Sequence, residues 1–189
     1  MELAAHKILP SVKIITPRRH ADNRGFFSET WREQDVREDD LPVHFVQDNH
    51  SLSRAVGTVR GLHFQIGEAA QRKLVRCVRG SILDVAVDIR RGSPTFGCHA
   101  SIILSEENWT QLYIPIGFAH GYCTLQPDTE IIYKVSSYYD PKAERGLAWN
   151  DPKLGISWGV TSEAAIMTDR DRNFPTLAEL PDFFLYTEK

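Results

Sequence analysis

Several large classes of protein carry features that this sequence lacks. Only three cysteines, Cys77, Cys98 and Cys123, occur among 189 residues. They are far apart, odd in number and form no C-x-x-C pair, so neither a disulfide framework nor a zinc knuckle is expected, and a reducing cytoplasm suits the chain. No apolar run approaches the roughly 18 residues that cross a bilayer. The amino-terminal MELAAHKILPSVKIITPRRH has no long apolar segment, so neither secretion nor a membrane partner is expected. The net charge is −3, which gives no general basic field for nucleic acid, although a local arginine cluster can still hold a phosphate. Low-complexity stretches and repeats of fixed period are absent. With 42% hydrophobic and 25% charged residues, the composition is that of an ordinary globular chain, and residues 1–189 are expected to form one domain.

What fills the chain is a succession of short β-type segments. VKIITP, RGFFSETW, VHFVQDNHSLS, TVRGLHFQ, RKLVRCVRG, SILDVAVDI, HASIILS, TQLYIPIG, AHGYCTL and TEIIYKVSSYY follow one another with Gly, Pro, Asp or Asn between them. Many short strands at regular spacing point to an all-β sandwich or barrel, here an antiparallel double-sheet jelly roll with a few short peripheral helices. REQDVREDD is expected to form one short helix, and the stretch from Thr161 to Leu180 short helical turns.

Alternation along these strands sets apolar residues against chemically useful ones. In LDVAVDI, Leu83, Val85, Val87 and Ile89 share one face, and Asp84, Ala86 and Asp88 the other. Lys73 shares a face with Val75 and Cys77, and Tyr133 with Ile131 and Val135. In RGLHFQ, His63 and Gln65 lie opposite Leu62 and Phe64. Arg60 would point away from His63 in an unbroken strand, but a bulge at Gly61 would re-aim it. Any one such strand can be a solvated face. Taken together, His, Lys, Tyr, Asp and Arg suggest a barrel lined around a ligand.

IPIGFAHGY contains Pro115-x-Gly117-x-x-His120 and resembles the second motif of the cupin superfamily; the region from Gly57 to Gly80 resembles a degenerate first motif. The second histidine of a metal-binding first motif is replaced by Gln65, and His63 and His120 alone make too few ligands for a tight metal site. A closer resemblance covers most of the chain. RGFFSE, FVQDNHS, RGLHFQ, KLVRCVRG, DVAVDIRRGSPTFG, IPIGFAHGY and YKVSSYYDP, in order from about Arg24 to about Pro175, are similar to the dTDP-4-dehydrorhamnose 3,5-epimerase family. The resemblance implies a homodimeric jelly roll that uses no cofactor. It also implies a substrate, dTDP-4-dehydro-6-deoxyglucose, inverted at C3 and C5 on the way to dTDP-L-rhamnose and so to polysaccharides such as O-antigen.

That reaction needs a base to remove a proton acidified by the C4 ketone, an acid on the opposite face, and a donor for the developing oxyanion. His63 suits the base, since imidazole ordinarily titrates near neutrality. Its other nitrogen needs an orienting carboxylate. The family's Ser-x-Lys-Asp segment maps this onto Asp171, with Thr168 and Arg170 at the Ser and Lys positions; Asp169 and Asp84 are competitors. Tyr133 is the candidate acid and Lys73 the candidate oxyanion donor. His120 supports the sugar or fixes the GFAHGY turn. For the nucleotide, the resemblance implies Arg24 and Arg60 on the pyrophosphate, Gln47 and Asn49 on the nucleotide moiety, Phe27 and Tyr138 stacked on thymine, and Glu29 on the base or a neighbouring loop. Glu144 and Arg170 are added as substrate contacts. A one-carbon epimerase, a non-catalytic sugar-nucleotide binder and a metal-dependent oxygenase are the rival readings. The homodimer is expected to form through VKIITP, a β-branched strand without a hairpin partner of its own.

Overall fold

The computed structural model describes residues 1–35, 41 and 44–188. Two antiparallel sheets face one another. The first runs in the order β1 (Glu2–Ala5), β2 (Lys13–Thr16), β11 (Gln111–Ile114), β7 (Lys73–Arg79), β13 (Thr129–Val135) and β5 (Gln47–Ser53). The second runs β10 (His99–Ser105), β8 (Ser81–Asp88), β12 (Phe118–Thr124), β6 (Val59–Gln65) and β14 (Glu144–Gly146). β3 (His20–Asp22) and β4 (Gly25–Phe27) form an exposed hairpin after β2, and β9 (Arg90–Arg91) pairs in parallel with β15 (Phe184–Leu185). This is the expected jelly roll.

Period-2 alternation builds the two layers of core. Val75, Cys77, Ile82, Ala86, Leu112 and Ile131 point into the space between the sheets and are buried. On the outer side of the second sheet, Leu62, Phe64, Val85 and Val87 are covered by a carboxy-terminal wrap carrying Leu147, Trp149, Trp158 and Leu177. Trp158 donates its indole N–H to the Trp149 carbonyl at 2.7 Å, so the wrap's largest side chain is buried without an unpaired donor. Each fully buried aliphatic side chain contributes about 1.5–3 kcal/mol. With one face of β8 against the inner core and the other under the wrap, its polar residues are not a solvated face: Asp84 and Asp88 are both 0% exposed.

Some expectations need correction. VKIITP does have a hairpin partner: β1 pairs with β2 from Glu2↔Thr16 to Ala5↔Lys13, while β11 takes the other edge of β2. Both edges of that strand are therefore satisfied within the chain, and the open edge passes to β1. The polar, alanine-rich ELAA hides no face, since all four residues are exposed, which is why alternation did not reveal it. Of REQDVREDD, the described part contains a 3-10 turn at Glu33–Asp35; the rest of the expected helix, residues 36–40, lies outside the described residues. The turns expected near the carboxy terminus include one short helix, α1 (Asp169–Arg172).

Candidate active site

The feature that shapes the site is a bulge. Between β12 and β6 the register runs His120↔His63 and then Tyr122↔Arg60, so two residues of β6, Gly61 and Leu62, oppose the single residue Gly121. The extra residue turns Arg60 onto the same side as His63, as expected from Gly61. Only glycine fits here. Gly61 has φ +126°, and a Cβ on it would lie 2.6 Å from Gly121 Cα and 2.8 Å from the His120 carbonyl oxygen.

Above the bulge opens a cleft of about 760 Å³ whose walls include Arg60, His63, Lys73, His120, Tyr122, Tyr133, Tyr139, Glu144, Arg170 and Asp171. A smaller hollow of about 220 Å³ shares His63, Lys73, Tyr133, Tyr139 and Glu144 and is lined also by Gln47 and Asn49, whose amides bond one another at 2.8 Å. Thus all four residues expected to carry the chemistry meet in one cleft, with Arg60, His120, Glu144 and Arg170 beside them. Arg24, Phe27, Glu29 and Tyr138 are not among the walls. Arg24 is paired with Asp22 and its side chain is 85% exposed; Phe27 and Tyr138 are 67% and 71% exposed.

His63 is held from two directions. Its Nε2 lies 2.9 Å from Asp171 Oδ1, and its ring meets Phe174 edge-on at 5.6 Å. Gly146 makes room for that phenyl: a Cβ there would fall 2.3 Å from the Phe174 ring. Asp171 is buried, its Oδ2 accepts the Gly61 N–H at 3.2 Å, and its own N–H reaches Thr168 Oγ1 at 3.2 Å as the cap of α1. Burial pushes the Asp171 carboxyl upward, but the bonds to His63, Gly61 and Thr168 outweigh this and leave it below the ordinary range. Of the alternatives, Asp169 is exposed and Asp84 is bound elsewhere.

The opposite wall carries Lys73 and Tyr133. Dense protein around the Lys73 ammonium pushes its pKa down to about 8, against the pull of Asp84 and Glu144. The Tyr133 phenol is pushed up by burial and keeps its proton at neutral pH. His120, nearly buried, places Nε2 2.7 Å from Asp84 Oδ1; burial lowers its pKa although Asp84 opposes the shift. At the mouth, Glu144 Oε2 takes bonds from Arg170 at 2.6 Å and from the Tyr139 hydroxyl at 2.7 Å. Arg60 is steadied by Ser53 Oγ at 3.3 Å and the Leu52 carbonyl at 3.3 Å. Gln65, which stands where a metal-binding cupin has histidine, donates to the Ala69 and Tyr138 carbonyls and accepts from the Asp140 N–H. Among the described residues no three His, Cys, Asp or Glu side chains gather as a metal cage.

Residues 6–179 match the model of the dTDP-4-dehydrorhamnose 3,5-epimerase family. The chain belongs to this family. A dTDP-4-dehydrorhamnose 3,5-epimerase of Sinorhizobium fredii is 50% identical over 180 residues, covering 95% of this chain and 92% of the relative. The crystal structure of a Legionella pneumophila dTDP-6-deoxy-D-glucose-3,5-epimerase in complex with dTDP-4-keto-L-rhamnose superposes with a TM-score of 0.92 at 37% identity, covering 99% of both chains. A 3'-monoepimerase of Streptomyces bikiniensis, solved with dTDP-quinovose, has a TM-score of 0.83 at 32% identity and covers 93% of this chain and 87% of its own. The fold thus serves relatives named for two inversions and one named for a single inversion.

Within this member of the epimerase family, sequence reasoning overlooked one cleft residue and misplaced a buried one behind the cleft. Tyr139, not its neighbour Tyr138, turns inward; the pair falls where β13 has ended, so alternation could not choose between them. Asp84 was read only as a rival partner for His63. Its position opposite Tyr122 on β12, one strand away from His63, assigns it to His120 instead.

Proposed function

We propose that this chain converts dTDP-4-dehydro-6-deoxy-D-glucose to dTDP-4-dehydro-L-rhamnose by inverting C3 and C5 in the cleft, with no cofactor. One observation carries the reading. His63 Nε2 is taken up by a buried carboxylate, which fixes Nε2–H and leaves Nδ1 as the basic nitrogen, while Lys73 and a protonated Tyr133 share the same cleft. His63 removes the proton beside the C4 ketone. Lys73, in its charged form, stabilises the enolate oxygen, worth several kcal/mol in a water-poor site, with His120 toward the sugar. Tyr133 returns a proton to the opposite face. The same set acts on each carbon in turn, since both flank one ketone.

The diphosphate belongs on Arg60, which Ser53 and Leu52 hold ready, with Glu144, Arg170, Gln47 and Asn49 toward the nucleoside. Arg24, Phe27 and Glu29 reach the substrate only from a second protomer. A homodimer in which the β3–β4 hairpin of one protomer covers the nucleotide end of its partner's cleft accounts for an exposed hairpin tip bearing Phe26, Phe27 and Arg24. Each protomer acts as one catalytic domain. No helix among the described residues is long and apolar enough to cross a membrane, and three unpaired thiols, Cys98 exposed among them, suit a reducing cytoplasm. The test is product analysis: proton NMR of the dTDP-sugar after incubation with the purified protein and a chelator. Both C3 and C5 should be inverted relative to the substrate. A product inverted at one carbon alone would assign the chain to one-carbon epimerases, and unchanged sugar would remove the activity.

A further inference from the structure

Resting on the reading just given, we propose that Asp84 is the fixed counter-ion that keeps Lys73 protonated, and so able to act on the substrate oxygen, with His120 serving to hold that carboxylate in place. Asp84 is 0% exposed, on β8 with its side chain between the sheets. One oxygen, Oδ1, is taken by His120 Nε2 at 2.7 Å. The other, Oδ2, is buried and accepts no hydrogen bond among the described residues. A buried carboxylate left half-satisfied is costly unless a cation faces it. Lys73 enters the same space from β7 in the opposite sheet, its ammonium 3.5 Å from the His63 carbonyl oxygen; no direct ion pair joins it to Asp84 among the described residues, so the carboxylate acts on it through space.

The groups around the ammonium leave Asp84 as the anion with one oxygen still free. His63 faces it from β6, His120 from β12 and Tyr133 from β13; none of these brings a negative charge at neutral pH. Glu144 faces it from β14, but that carboxylate is already engaged by Arg170 and by Tyr139. Burial is the largest influence on Lys73 and drives it toward the neutral amine; Asp84 is the strongest influence in the other direction, ahead of Glu144. A neutral amine is a poor partner for an oxyanion. Asp84 therefore acts through Lys73 and is a positioning residue, not a catalytic one.

The experiment is a titration of the Lys73 side chain by NMR in the free protein, its signal assigned by its loss in Lys73→Met, compared between the wild type and Asp84→Asn. The midpoint should fall by about one unit or more in Asp84→Asn, and the alkaline limb of kcat/KM should move down with it, while Asp84→Glu restores both. An unmoved Lys73 midpoint, or a uniform loss of activity with the limb in place, overturns the proposal. Should Asp84→Asn not fold, Asp84→Ser in the same Lys73 titration decides, and an unmoved Lys73 midpoint there refutes the coupling. Because the titrations need no turnover, they stand or fall apart from the epimerase reading.

Discussion

Replacing Asp171 by asparagine removes one charge and keeps the shape, and its effect follows from two hydrogen bonds. The carboxylate accepts twice: from His63 Nε2 at 2.9 Å and from the Gly61 N–H at 3.2 Å. An amide has only one accepting end. If that end faces Gly61, the amide N–H₂ faces His63, Nε2 must become an acceptor, and the proton moves to Nδ1, where it blocks the base. If it faces His63, two donors oppose one another at Gly61. Loss of a charge-assisted bond costs about 1.5–3 kcal/mol, or roughly 10- to 150-fold in rate; the reversed tautomer takes the total to about 10²–10⁴-fold in kcat. Asp171 holds His63 without being needed for the nucleotide, so the affinity for dTDP should change less than about threefold. A buried N–H left opposed should also lower stability by about 1–3 kcal/mol. Steady-state kinetics with the dTDP-sugar, titration calorimetry with dTDP and urea unfolding read the three effects. Turnover in Asp171→Asn within a few-fold of wild type would refute the assignment, and damage from Asp169→Asn instead would mean that the exposed neighbour has the role.

Tyr133→Phe should keep solvent exchange of the substrate protons and lose inversion, since His63 can remove and return a proton on one face while the other face has lost its donor; equal loss of both in an NMR time course would reduce Tyr133 to a support. Activity limited by charged Lys73 should be present below and lost above a pH of about 8, the value set by burial; a kcat/KM profile flat to well beyond that pH would contradict it. Gly61→Ala meets Gly121 and the His120 carbonyl in a backbone conformation unfavourable to L-residues and should lower stability by more than about 2 kcal/mol, read as a fall in the urea midpoint. A homodimer should appear in light scattering at micromolar concentration, and shaving the hairpin with Phe26→Ser and Phe27→Ser should weaken it; a wild-type monomer would contradict the shared cleft.

The strands that alternate strictly were legible in the sequence because one of their faces always meets a core. β6, β7, β8 and β13 fall within the segments read from TVRGLHFQ, RKLVRCVRG, SILDVAVDI and TEIIYKVSSYY, β12 begins one residue before AHGYCTL, and the cleft is built on these five. The bulge was legible too, because Gly61 stands where Arg60 and His63 have the wrong spacing to share a face. What escaped had no burial signal. The exposed β1 and the three-residue β3 and β14 hide too little surface to leave a period, and Glu144 on β14 entered only through family resemblance. Contacts made across the fold were equally silent: that Asp84 pairs with His120 while Asp171, 108 positions from His63, closes the other pair is decided by which strands lie side by side. Local sequence does not contain that information.

The most direct test of the central claim is deuterium incorporation from heavy water into the dTDP-sugar, followed at C3 and C5 by NMR in the wild type and in His63→Ala. Proton abstraction by His63 beside the C4 ketone predicts deuterium at both carbons with the wild type and a loss of at least ~10² in the exchange rate at both in His63→Ala, with dTDP still bound. Exchange at near-normal rate without the imidazole, or no exchange at either carbon in the wild type, would contradict it.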